Sequence, residues 1–396
     1  MEITARELNR ATLARQLLLQ REPLSVEEAV GQVVALQAQH APSPYLALWN
    51  RISGFDPADL DEAFTRGSVV KATLLRLTLH AVRADDYPVF REAMRPTLRA
   101  SRLGDRFAAT GLTPADCDLL VPDLLSFADR PRTGAELEAW VGEQLGVELQ
   151  AGAWWGLRAC APLVHVPSGG PWSFGARPSY VAAHPHPAPA PAPVGSRARQ
   201  TEAAETAVAA QTQALQALVL RCLAGFGPVT VADIAQFTQA GRTAVRKALE
   251  SLGDAVERLE GPAGAALFDL PGAPRPAQDT PAPARLMAMW DSSLLAYADR
   301  SRIIPSEYRR LVIRNNGDVL PTLLVDGYVA GLWRPVDGGI EATAFHRLTR
   351  EQWEQLADEA SSLTALLADR EPRVYSRYGH WWAKSPDPHT TRLLPG

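Results

Sequence analysis

A chain of 396 residues with 46% hydrophobic residues exceeds one ordinary core and predicts two to four domains. No apolar run is long enough to span a membrane, the first twenty residues are charged from Glu2 onward, and Cys117, Cys160 and Cys222 lack zinc or disulfide spacing. The expectation is a soluble, cytoplasmic protein with buried thiols and no metal or cofactor. A net charge of −4 gives no reason by itself to expect a nucleic-acid partner, but lysine stands only at 71, 247 and 384, so nearly all positive charge is arginine, the side chain suited to forked phosphate contacts.

The first predicted helix covers residues 5 to 20. Ser25 with Glu28 has capping-box spacing for a second helix through Ala35, and Ser43-Pro44 opens a third through Ile52. Residues 68 to 87, "SVVKATLLRLTLHAVRADDY", read as extended strands in which Arg76, Thr78 and His80 alternate with Leu75, Leu77 and Leu79. The plan recurs from Thr113/Asp116 and Thr133/Glu136, with a helix and strand in "AGAWWGLRACAPLVHV" and a wing in "WSFGARPSY". The Pro/Ala run 184–196 is a predicted linker. After it, Thr230/Asp233 caps a short helix, Gly241 breaks it, and Val245, Leu249 and Leu252 mark a second before strands around 256–270. That is the pattern of a winged helix-turn-helix, a unit used for DNA and for protein contacts. A second predicted linker, 270–284, precedes a β-rich unit with an Asp326-Gly327 hairpin turn and a closing helix from Thr349. The expected fold is therefore α+β and mainly helical: winged helices over 1–105, 106–200 and 201–284, and a C-terminal β-rich unit over 285–396.

In "VVALQAQHAPSP", residues 33–44, two glutamines precede two prolines. Pro42 biases Ala41 toward an extended conformation, so Gln37 and Gln39 are expected to project the same way from the connection between two helices. The same residues also read as polar surface positions capping helix ends. His40 and His80 read as acid/base groups or as hydrogen-bonded structural residues, Asp85-Asp86 and Asp291 as isolated carboxylates, and Trp154-Trp155 and Trp381-Trp382 as stacking surfaces or packing. No GxSxG, P-loop, HExxH or dinucleotide fingerprint is present.

Residues 286–310, "LMAMWDSSLLAYADRSRIIPSEYRR", and 319–333, "VLPTLLVDGYVAGLW", with the earlier "LQAQ" and "RLTLHAV", resemble the bacterial winged-helix family that includes the AlkZ and YcaQ DNA glycosylases. The resemblance covers essentially the whole chain. It implies three winged helices framing a concave, basic surface for duplex DNA, and a Gln-x-Gln catalytic motif matching Gln37 and Gln39; the YcaQ branch has Gln-x-Asp instead. The implied activity is excision of N7-alkylated purines, including bulky antibiotic adducts or interstrand crosslinks, from double-stranded DNA by a monomeric enzyme. A functional hairpin in the cleft is placed on 319–333. Arg76, Arg83, Arg300 and Arg302, with His80, Arg242, Arg246 and the Asp326-Gly327 turn, are the expected DNA contacts.

Overall fold

The computed structural model describes residues 2–150, 152–183, 197–384 and 389–395; the predicted linker 184–196 lies outside the described residues. The fold is α+β and about half helical. Helix α1 (Ala5–Arg15) starts from a Thr4/Glu7 capping box, and α2 (Val26–Gln32) from the predicted Ser25/Glu28 box. Both stop earlier than the apolar periodicity suggests. Leu17 and Val34 take positive φ values of 55° and 73°, and these left-handed residues turn the chain out of each helix. The chain continues through β1 (Leu36–Gln37), α3 (Ser43–Trp49), α4 (Pro57–Arg66), β2 (Val69–Thr73) and β3 (Leu79–Arg83).

Residues 68–87 are not extended throughout. β2 and β3 form a hairpin closed by a 3-10 turn at Leu75–Leu77, where Arg76 and Leu77 have φ of 50° and 61°. The alternation of Leu75 to Leu79 was thus partly a turn, because the chain must reverse for Val82 to pair with Val70. Helix α5 (Tyr87–Arg102) leads through α6 (Asp105–Ala108), α7 (Pro114–Phe127), β4 (Arg132–Thr133), α8 (Gly134–Leu145), α9 (Ala153–Cys160), β5 (Leu163–Val166) and β6 (Ser179–Ala182). Capping boxes at Thr113/Asp116 and Thr133/Glu136 open α7 and α8. The two hairpins join in one six-stranded sheet of order β1-β3-β2-β5-β6-β4, linked where Lys71 pairs with His165.

Helix α10 (Arg197–Phe226) leads to α11 (Val231–Thr238), α12 (Arg242–Ser251) and, at the place of the predicted wing, the two-stranded hairpin of β7 (Glu257–Gly261) and β8 (Ala265–Asp269). Thr230 and Asp233 form the cap of α11, Gly241 is the N-cap of α12, and Val245 and Leu249 are buried. The C-terminal part holds β9 (Arg285–Met287), α13 (Ser292–Leu295), α14 (Arg309–Val312), β10 (Thr322–Val325), β11 (Tyr328–Val336), β12 (Gly339–Ala344), α15 (Arg350–Ala368) and β13 (Thr390–Pro395). Its sheet order is β13-β12-β11-β10-β9, all antiparallel. Asp326 and Gly327, at φ 48° and 82°, form the expected two-residue turn.

The N- and C-terminal parts share a core. One apolar core runs from Leu13, Tyr45 and Leu46 to Leu286 and Trp333. The second predicted linker is a strap across α1: Arg10 donates to the Thr280 carbonyl at 2.6 Å and Arg15 to the Pro274 carbonyl at 3.2 Å. Arg15 also forms a buried ion pair with Asp269 of the wing at 2.6 Å.

Candidate functional site

Gln37 lies on the edge strand β1, where it pairs with His80 of β3. Its side chain is buried, and its Oε1 accepts a hydrogen bond from Arg76 Nη2. An amide whose carbonyl is held by a guanidinium has its NH₂ directed away from that cation. Gln39, two residues on, is exposed, and its Oε1 accepts weakly from the Leu79 N–H at 3.4 Å. The two amides therefore occupy one end of the sheet, one fixed and one open to solvent.

Arg76 is held over the Phe237 ring of α11, 5.4 Å from its centroid, and its buried Nη1 has no hydrogen-bond partner among the described residues. Burial first, then Arg300, pushes its pKa down to about 9. His80 is fully buried; its Nδ1 lies 3.1 Å from the Thr78 carbonyl and its Nε2 has no partner among the described residues. Burial and the nearby Arg76 hold it well below the ordinary histidine range, so it is neutral. His40 packs edge-on against Tyr378 and beside Tyr375, and burial, Arg377 and Lys71 bring it down to about 4.

The chain segment behind the amides is positioned by the C-terminal part. Ser292 donates to the Ala35 carbonyl at 3.0 Å, and Asp291 caps α13 while forming a fully buried pair with Arg51 at 2.8 Å. Asp291 is thus a structural anchor for the glutamine strand.

The structure brings Gln37, Gln39, Arg76 and His80 together, with Arg300 within electrostatic reach of Arg76. Of the expected DNA contacts, His80 is fully buried, while Arg76 is half-buried with its guanidinium engaged by Gln37. Arg83 is bound to Asp86 at 3.0 Å, and Asp86 also pairs with Arg221. Arg302 donates to the Pro228 carbonyl at 2.8 Å and lies 4.1 Å from the Tyr297 ring centroid. Arg242 and Arg246 are exposed on α12, beside a groove also lined by Val256 and by Arg258 of β7. The Asp326-Gly327 turn lies against the first helix. Asp326 is ion-paired to Arg6 at 2.7 Å and to Arg10, and Gly327 accepts from Asn9 Nδ2 at 2.7 Å, so the hairpin tip is docked on α1.

Of the tryptophan pairs, Trp154 packs edge-on against Tyr180, while Trp155 faces the guanidiniums of Arg102 and Arg106 at 4.1 and 5.6 Å. Trp381 donates to Asp318 at 2.9 Å. Sequence reasoning missed Lys71, Arg91, Arg102 and Arg158, which line a cavity next to Gln39. They come from three separate elements, β2, α5 and α9, and the single available signal was a lysine inside an apolar strand. Among the described residues no group of three or more His, Cys, Asp or Glu side chains forms a metal-binding cluster, and no helix is long and apolar enough to cross a membrane.

Residues 30–366 match the AlkZ-like DNA glycosylase family, and the chain belongs to that family. Among solved structures, the DNA glycosylase AlkZ of Streptomyces sahachiroi has a similar fold, with a TM-score of 0.74 at 20% identity over 92% of this chain and 96% of that one. No curated protein matches the chain at a significant level.

Proposed function

We infer that this chain is a monofunctional DNA glycosylase that hydrolyses the N-glycosidic bond of N7-alkylated purines in duplex DNA, acting as a cytoplasmic monomer in repair or self-resistance. The observation that carries the reading is the amide pair itself: Gln37 fixed by Arg76 and Gln39 exposed beside it. Alkylation at N7 makes the purine a cation whose bond to C1′ already breaks readily. The enzyme then needs little acid catalysis, and its main task is to place a water molecule. Gln39 supplies the accessible carbonyl acceptor, and Gln37, with its carbonyl engaged, supplies an oriented NH₂ donor. Neither is a base strong enough to drive loss of a neutral purine.

In this reading the winged units frame a concave DNA surface with α12 as one contact. An open sheet edge also suits bulky adducts and interstrand crosslinks, which a tight flipped-base pocket excludes. The alternative of a winged-helix regulator without chemistry draws on the exposed Arg242 and Arg246 of α12.

The test is base release from duplexes bearing N7-methylguanine or a bulky N7 adduct, read by cleavage at abasic sites. Wild type releases the base, and Gln37→Ala/Gln39→Ala slows release at least about 100-fold, the scale of losing an oriented polar group at a reacting centre. No release from any cationic adduct rules out the enzyme. Release unaffected by the double substitution rules out the site.

A further inference from the structure

Adjoining Gln39 is a cavity of about 350 Å³, walled by β2, α5, α9 and the β5–β6 hairpin. Lys71, Arg91, Arg102 and Arg158 line it together with Trp155 and Phe174, and none of its lining residues is a carboxylate. Each cation is placed by a contact that leaves its charge unneutralised. Arg91 donates to the carbonyls of Ala159 and Cys160 at 3.2 and 2.6 Å. Arg102 donates to the Leu77 carbonyl at 3.2 Å, and Arg158 to the Tyr180 hydroxyl at 3.3 Å. Lys71, only 6% exposed, holds its Nζ 4.3 Å from the centre of the Phe174 ring. None of the four forms an ion pair among the described residues.

The fold therefore gathers like charges. Burial and Arg158 together lower the pKa of Arg102, and burial, Lys71 and Arg158 bring the neighbouring His165 down to about 3. Cations assembled in a half-enclosed wall without a counter-charge are unfavourable until an anion arrives. A cationic purine is repelled from such a wall, so the lesion base is not the ligand. The anion that a DNA strand brings to this place is its backbone.

We propose that the cavity seats one phosphodiester of the lesion-bearing strand, with Lys71, Arg102 and Arg158 on its oxygens and Trp155 against the adjoining nucleoside. The proposal rests on the glycosylase reading for the identity of the strand. Seated there, the phosphate sets the register of the strand so that C1′ of the lesion falls at Gln37 and Gln39.

The experiment uses duplexes containing a tetrahydrofuran abasic analogue, in which each phosphate near the analogue is replaced in turn by an uncharged methylphosphonate. Dissociation constants are measured by fluorescence anisotropy for wild type, Lys71→Gln, Arg158→Gln and Arg158→Lys. One methylphosphonate position weakens wild-type binding about tenfold, and the penalty disappears in Lys71→Gln and Arg158→Gln but persists in Arg158→Lys. The salt dependence of binding falls by about one unit of slope in each glutamine variant. The proposal is overturned if no position is sensitive, or if the penalty is undiminished in the glutamine variants. Should Lys71→Gln fail to fold, the half-buried Arg158 carries the test. No base is released in this experiment, so its outcome is separate from that of the excision assay.

Discussion

Gln37 owes its orientation to Arg76, and Arg76 to a turn in which two consecutive residues have left-handed backbone angles. The histidines that sequence offered as acid or base groups are held neutral. Burial with Arg76 lowers His80 far below its ordinary value, and burial with Arg377 and Lys71 lowers His40 to about 4. Single-turnover base release is therefore expected to be flat between about pH 5.5 and 7.5, where an ordinary histidine would titrate. A limb with a midpoint near about 6.5 would show that a histidine does take part. On the alkaline side, Lys71 at about 8 loses its proton as pH rises, so DNA binding through a phosphate seated at Lys71 weakens there, which a binding titration from about pH 7 to 9 checks. In the sequence the glutamine pair reads equally as surface capping beside its prolines, and the family resemblance is what singles it out as a candidate site. Its partners were not legible, because Arg76 reaches Gln37 across 39 residues through a reversal that the leucine alternation concealed.

The elements show the same division between local chemistry and distant contact. Asp326-Gly327 announces a tight turn from two residues alone, and the turn is there. Where the turn docks depends on Asn9 and Arg10, more than 300 residues earlier in the chain. A Cβ at Gly327 would lie 2.5 Å from Asn9 Oδ1, at a φ of 82° that L-residues rarely adopt. Gly327→Ala is expected to destabilise the fold by about 2–4 kcal/mol in denaturant titration, from backbone strain and overpacking combined. A loss under about 1 kcal/mol would mean that the hairpin tip is free in solution. The capping boxes at Ser25, Thr113, Thr133, Thr230 and Thr349 were all readable, since each needs only a hydroxyl and an acceptor three residues on.

For the whole molecule, the strongest local pattern, α11 and α12 with their wing, was visible in outline because helical periodicity, a capping box and a breaking glycine coincide there. The union of two hairpins in one sheet was invisible, since a single register pair, Lys71 with His165, makes the join. If α12 lies on duplex DNA as a backbone contact, Arg242→Gln/Arg246→Gln weakens binding to damaged and undamaged duplexes alike and lowers the salt slope by about two units. Loss of preference for one particular base sequence would instead favour the regulator reading.

The family match begins at residue 30, after α1. Yet Arg10 and Arg15 of that helix are fully buried, and α1 reaches the β-hairpin tip, the 270–284 strap and the wing through separate contacts. A shortened protein cut to the matched boundary would therefore lose a helix that contacts all three regions. It would be expected to keep its individual helices and strands while losing one cooperative melting transition to several.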